Sequence, residues 1–275
     1  MNPKLKALQL KARHQVYTLL SGHNLSRLYG EGYDFAELRE YQIGDDIRKI
    51  NWTITAKLGR PYIKELHADR ELFVSVASLL DGSLYFGEGN AKQHLHTEVA
   101  ALLGFAALHG NDLFSGICYT PHDTYTTVAT KQPFEIERFT EEIDTAALLH
   151  TALPLQEKID DLFTRLHKPS LLFILHDFLE PVDLSVLAQR HEVIAVIIRD
   201  RREEMLQEEG EVEIENPLSG KRMKSTIGRH SIRHYRAALE AHESKLNAHF
   251  SRYGIRYVKV FTDEEPVTKL MRLFR

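Results

Sequence analysis

Disulfides, membrane-spanning runs and nucleotide loops are all missing from this chain. Its 275 residues include a single cysteine, Cys118, which excludes an internal disulfide framework and points to a reducing compartment. Cys118 lies in the apolar run 114–119, where a small buried hydrophobe is its expected role. The longest apolar runs, 73–80, 99–108 and 193–198, fall short of the ~20 residues that span a bilayer. The start of the chain carries Lys4, Lys6, Lys11 and Arg13 with no apolar stretch of a signal peptide behind them. A cytoplasmic protein is therefore expected. Basic excess is missing too: the formal net charge is −4, which argues against nucleic acid as a partner. There is no G-x-x-x-x-G-K-[ST] loop, so no nucleotide is expected. Nor is there a G-x-S-x-G elbow to present a nucleophilic serine.

Hydrophobic residues make up 43% of the chain, enough for a sizeable core. Leu5, Leu8, Ala12, Val16 and Leu19 recur at helical spacing over 3–20. The stripe is modest and lacks Trp and Phe, so it is expected to dock on the body of the protein. Peripheral contact with a membrane surface is the alternative. Residues 21–70 read as irregular and polar, apart from a helical turn at 47–50 and a short strand at 61–66. From 73 onward, apolar runs with β-branched residues alternate with helical patterns. Runs at 73–80, 170–175 and 193–198 suit strands covered on both faces. Segments 212–216 and 222–226 flank Pro-Leu-Ser-Gly, a hairpin signal. The expected fold class is α/β, a doubly wound and mostly parallel sheet. Residues 1–70 would form an N-terminal helix and an irregular segment packed on the core, and 71–275 the α/β domain.

Segment 38–62, LREYQIGDDIRKINWTITAKLGRPY, holds the only tryptophan and mixes charge with apolar residues. Charges packed beside Tyr41, Ile43, Ile50 and Trp52 would need partners, because an unpaired buried charge is costly. Gly44 permits a turn that other residues resist. Asp45 or Asp46 could cap the turn at 47–50, and Arg39 and Arg48 could pair with Glu40, Asp45 or Asp46. A structural or partner-binding role is expected for Arg39, Glu40, Asp45, Asp46, Arg48 and Trp52, rather than a catalytic one.

In an open α/β sheet, ligands gather beyond the carboxyl ends of the strands. Two expected strands end there in aspartates, giving Asp81-Gly-Ser83 and Asp177. Asp81, Ser83 and Asp177 could converge on one rim, with Thr151 adding a hydroxyl from a neighbouring loop. Hard oxygen donors of this kind suit Mg²⁺ or Mn²⁺. The alternative is that both aspartates cap the turns that follow them. His230 and His234 have a spacing that can hold zinc but lack a third ligand, so they read as surface histidines. His94 and His96 point to different faces of a helix. Glu203-Glu204 and Glu208-Glu209 read as a solvated helix face.

The order GEGYDFAELREYQIGDDIRKINWTITAKLGRPYIKE resembles the signature of the bacterial family known as domain of unknown function fifty-eight. The likeness continues through the strand ending at Asp81, the Gly-Asn-Asp turn at 110–112, the strand at 172–178 and the closing residues 255–275. The resemblance implies a von Willebrand factor A-like fold with a metal-ion-dependent adhesion site of the pattern Asp-x-Ser-x-Ser, Thr, Asp. By position these fall on Asp81, Ser83, Thr151 and Asp177. The chain departs from the pattern at Tyr85, where a bulkier phenol replaces the second serine, and at His176, where an imidazole replaces the usual serine. The resemblance also implies a MoxR-type AAA+ ATPase and client proteins as partners. Three readings follow: a non-enzymatic interaction module with a divalent ion on its rim, a metal-dependent hydrolase that adds Asp45 and Asp46 to the rim acids, and a metal-free scaffold with a vestigial site.

Overall fold

The computed structural model describes residues 3–22, 35–66, 72–87 and 91–271. The chain divides into two compact units, Met1–Leu19 with Leu72–Arg275, and Leu20–Glu71.

The larger unit is built on strands β3 (Phe73–Leu79), β4 (Leu113–Tyr119), β5 (Thr124–Thr126), β6 (Leu171–His176), β7 (Glu192–Arg199) and β10 (Arg256–Phe261). Among the described residues these six form one sheet in the order β10-β7-β6-β3-β4-β5. Every pairing is parallel except β4 with β5. The expected α/β class with a mostly parallel sheet is therefore found. The central strands are buried almost end to end, which is why they read as continuous apolar runs rather than as alternations.

Helices cover both faces. On one side, Ala77, Leu79, Leu172, Ile174, Ala195 and Ile197 of the sheet pack with Leu155, Ile159 and Leu162 of α5 (Leu155–Arg165), Leu187 of α6 (Ser185–Ala188), and Leu246 and Phe250 of α8 (Arg229–Tyr253). On the other side lie α3 (Ala91–His109) and α4 (Pro133–Thr145). There Phe114 and Phe139 meet edge to face, ring centroids 5.6 Å apart, a geometry aromatic pairs favour. The N-terminal helix α1 (Pro3–Gly22) buries Leu5, Gln9, Ala12 and Val16. Gln9 Nε2 donates to Thr140 Oγ1 at 2.9 Å, and Lys6 pairs with Glu137 at 2.9 Å. Its apolar stripe is thus used against the body of the protein. Among the described residues no helix is long and apolar enough to cross a membrane.

Two further strands, β8 (Gly210–Glu215) and β9 (Arg222–Ile227), form the antiparallel hairpin expected from Pro-Leu-Ser-Gly. The short helices α7 (Arg201–Glu204) and α9 (Pro266–Leu270) follow β7 and β10.

Over 35–66 the smaller unit holds more regular structure than its sequence suggests. β1 (Phe35–Glu40) pairs with β2 (Tyr62–Leu66), and α2 (Trp52–Leu58) lies between them in the chain. A register shift between Phe35 and Glu37 breaks the alternation that would reveal β1. Helix α2 starts at Asn51, whose side chain accepts from the Ile54 N–H, and stops at Gly59 in the left-handed region. It has no buried residue, so it shows no apolar stripe.

Candidate functional site

The chain passes from β3 to β4 on one side and returns to place β6 on the other. The strand order therefore reverses between β3 and β6, the place where open α/β sheets bind ligands. Asp81 lies just beyond β3, and Asp177 directly follows β6. Both aspartates cap the turn that follows. Asp81 Oδ1 accepts from the Ser83 N–H at 2.9 Å, starting a short 3-10 turn at Gly82–Tyr85. Asp177 Oδ1 accepts from the Leu179 N–H at 3.1 Å. Between them Phe178 takes a left-handed φ of 51°, a costly conformation for a bulky residue.

The rim is organised by a residue that the sequence pattern did not single out. Lys92, in the first turn of α3, is fully buried. Its ammonium lies 3.0 Å from Asp177 Oδ2 and 2.7 Å from Glu203 Oε1. Burial alone would lower the lysine pKa, but the two carboxylates raise it above its ordinary value. Burial likewise opposes ionisation of Asp177, yet Lys92 and His176 hold its carboxyl far below the usual range. Glu203 is pushed up by burial, against the pull of Lys92. Its other oxygen accepts from the Asp200 N–H at 2.8 Å, closing a capping box on α7.

His176 Nδ1 accepts from the Phe178 N–H at 3.0 Å. In the neutral ring the proton therefore sits on Nε2, which points toward Asp81 Oδ2 at 3.7 Å. Burial lowers the His176 pKa, but Asp177 and Asp81 outweigh it and raise the group above its ordinary value. Thr151 reaches the rim through its backbone: its carbonyl accepts from the Gly82 N–H at 2.8 Å, and its hydroxyl donates to the Leu148 carbonyl. The β8–β9 hairpin lies against the same corner. The Pro217 carbonyl accepts from the His150 N–H at 2.7 Å, and the His150 ring contacts Glu215. A cleft of about 620 Å³ opens between rim and hairpin, lined by Ser83, Phe86, Leu179, Ile214 and Met223 among others.

Asp81, Ser83 and Asp177 lie at one corner, but the Thr151 hydroxyl is turned away to the Leu148 carbonyl, and the arrangement does not fit a divalent ion. The Ser83 hydroxyl is buried beside Asp177, whose carboxylate it helps to keep ionised, and would suit one. Against it, an ammonium stands on Asp177 and an imidazole N–H faces Asp81. A cation placed there would meet one fixed positive charge and the edge of a second basic group. Among the described residues, no group of three or more His, Cys, Asp and Glu is placed to hold a metal ion.

Two expectations need correction. Glu203 does not lie on a solvated helix face; its carboxylate is buried on the Lys92 ammonium, the positive partner that a carboxylate needs in the interior. The signature charges do not pack among buried apolar groups either. Ile43 is fully exposed and Trp52 is 67% exposed. The expected pairs of Arg39 and Arg48 form, while Glu40 takes Arg60 instead. Arg39 holds Asp45 in a two-pronged contact at 2.7 and 2.9 Å. Asp46 caps the turn Ile47–Lys49 and pairs with Arg48 at 3.1 Å. Glu40 pairs with Arg60 at 3.1 Å. Gly44 makes its turn at φ 112°. The signal that could have found Lys92 is its helical face, which it shares with His96, Val99 and Leu103, all buried. A lysine on such a face demands a carboxylate from elsewhere in the chain.

Over 98% of its length the chain is 26% identical to two relatives, and it covers 87% of each. They are the uncharacterized protein Rv1480 of Mycobacterium tuberculosis and the uncharacterized protein Mb1516 of Mycobacterium bovis. Among solved structures it is similar to the conserved hypothetical protein BatB from Bacteroides thetaiotaomicron, at 10% identity and a TM-score of 0.41, over 74% of this chain and 96% of that one. An aerotolerance-related membrane protein from Bacteroides fragilis gives 10% identity and a TM-score of 0.40, over 74% and 97%. The model of the family described as Protein of unknown function DUF58 matches residues 37–245, from β1 into α8; the chain belongs to that family.

Proposed function

We propose that the chain is a non-enzymatic interaction module with a von Willebrand factor A-like fold. It would work in the cytoplasm with a MoxR-type AAA+ ATPase in the assembly or activation of other proteins. The observation that carries this reading is the state of the switch-point rim. Its ionised groups are engaged with one another, Lys92 with Asp177 and Glu203. Among the described residues Asp177 is held by the Lys92 ammonium rather than free to act as a base. Turnover needs a group free to change its bonding, whereas docking needs only a fixed shape and charge. Asp45 and Asp46, the further acids of a hydrolase, are held by Arg39 and Arg48. The identity of the partner rests on the family resemblance.

The smaller unit adds a surface suited to a partner. Ile43, Ile47, Trp52 and Leu58 are all exposed large apolar residues of one short segment, and exposed apolar surface is what a partner can cover. The test is affinity purification of the tagged chain from its native host, beside a Trp52→Ala and Ile47→Asp double variant. The expected result is co-purification of the AAA+ ATPase with the native chain and its loss with the variant. A native chain that brings down neither the ATPase nor a client would defeat the proposal, and hydrolysis of phosphoesters or peptides abolished by Asp81→Ala would replace it with an enzyme.

A further inference from the structure

We infer that the Lys92 ammonium is the resident cation of the switch-point rim, standing where a divalent ion would otherwise join the carboxylates. Three separate parts of the chain meet on this one nitrogen. Lys92 opens α3, Asp177 closes β6 from 85 positions away, and Glu203 sits in α7 from 111 positions away. All three side chains are at most 4% exposed. Two carboxylates brought this close in the interior repel each other and cannot both ionise without a positive partner. A metal ion is one solution. A lysine delivered on a flexible stem is another, because its ammonium is a compact point charge with three donors.

The two solutions differ in what they offer a partner. A divalent ion held by a few protein oxygens keeps open positions that an incoming carboxylate can fill. An ammonium has no coordination shell to complete, and here it is buried at the carboxyl ends of the central strands. His176 adds to the difference, because its Nε2 edge faces Asp81 Oδ2 at 3.7 Å and occupies the approach to that carboxylate. Recognition at this face is then independent of metal. It would run through the outer groups of the rim and the hairpin rather than through a carboxylate bridged by an ion. The inference does not depend on the AAA+ ATPase being the partner, since its test includes no partner.

The experiment compares the native chain with Lys92→Met and Lys92→Arg. Each is titrated with Mn²⁺ by calorimetry and melted in EDTA and in excess Mn²⁺. The native chain is expected to show no saturable one-to-one site and the same melting temperature in both solutions. Lys92→Met keeps most of the stem but leaves Asp177 and Glu203 uncompensated. It is expected to gain Mn²⁺ affinity by about tenfold or more and to melt higher with Mn²⁺ than without. Lys92→Arg retains the charge and should stay indifferent to the ion. If Lys92→Met does not fold in EDTA, its refolding yield with Mn²⁺ against EDTA gives the same readout. A one-to-one Mn²⁺ site in the native chain, lost on Asp177→Ala, overturns the inference. So does a Lys92→Met protein that Mn²⁺ neither stabilises nor helps to refold.

Discussion

Gly82 and Pro217 touch so closely that a Cβ on residue 82 would lie 2.1 Å from the Pro217 carbonyl oxygen. The neighbouring obstacles, the Pro217 carbonyl carbon at 2.8 Å and the Thr151 carbonyl at 3.0 Å, are also backbone. No side chain can swing aside to make room. Gly82 therefore sets how near the hairpin turn can come to the end of β3. Gly82→Ala should push the turn off the rim and break the His150 N–H bond to Pro217, at a cost of about 1–3 kcal/mol. Limited proteolysis should then cut faster within 210–227. A variant as stable and as resistant as the native chain would show that the hairpin does not depend on this contact.

The opposite face of the sheet has a similar dependence in its interior. A Cβ on Gly116 would fall 2.6 Å from the Phe139 ring, in a core packed as densely as a crystal. Gly116→Ala should destabilise by about 1–3 kcal/mol in a denaturant melt. Phe139→Leu alone should also destabilise, by opening space. The double variant should be more stable than the two separate losses add up to, because the added methyl fills part of that space. Strict additivity would mean that the clash is relieved elsewhere.

The signature arginines should separate by burial. Arg39 grips Asp45 with two nitrogens, and its side chain is 30% exposed. Arg48 pairs with Asp46 from a side chain that is 90% exposed. Arg39→Ala should cost about 1 kcal/mol, at the upper end for such pairs. Arg48→Ala should leave the melting temperature unchanged. If Arg48 proves the more costly of the two, its role lies in a contact with something outside the described residues.

Cys118 should behave as an inert hydrophobe. It is buried, and burial first, with Glu142 and Asp123 adding to it, pushes its thiol up to about 12. The thiolate is the reactive form, so at neutral pH almost none exists. Iodoacetamide should leave the folded protein unmodified and label it promptly in denaturant. Rapid labelling under native conditions would place the thiol at the surface.

The alternation of apolar runs and helical patterns was enough to read the sheet, because strands buried on both faces need uninterrupted apolar sequence. Asp81 and Asp177 were legible for a topological reason: parallel strands bring their carboxyl ends together whatever the side chains are. Lys92 and Glu203 were not. Lys92 is buried against Asp177 and Glu203, which lie 85 and 111 positions away, so its partners do not show in the sequence around it. The double acid Glu203-Glu204 even imitates a solvated face, though its first member turns in to Lys92 and its second pairs with Lys259 at 2.6 Å. Trp52 failed in the opposite direction. A large apolar residue meant for an outer surface has the same letter as one meant for the core, and only the fold of its unit distinguishes them.

His96 gives a pH dependence whose sign can be stated. Its ring is fully buried, and among the described residues neither nitrogen finds a hydrogen-bond partner. Desolvation first, then repulsion from His176 and Lys92, lowers its pKa from 6.5 to about 3, while Asp177 and Asp81 pull weakly the other way. Between those values the unfolded chain binds a proton that the folded chain refuses. Stability must therefore fall as the pH drops below 6.5, by about 1.4 kcal/mol per pH unit from this group. The raised His176 acts in a different window. Its contribution is fully present below 6.5 and is lost as pH rises through its folded value, so it does not mask the acid slope. The stability that the depressed Asp177 carboxyl supplies is present above its unfolded value of 3.8 and is lost only as the pH falls below it, outside this range. Denaturant melts from pH 7 to pH 4 should show the slope in the native chain and a flatter one in His96→Phe, which fills the same buried space without a titrating group. Equal slopes in the two proteins would mean that His96 takes up its proton inside the fold, and that the interior beside Lys92 is wetter than its packing implies.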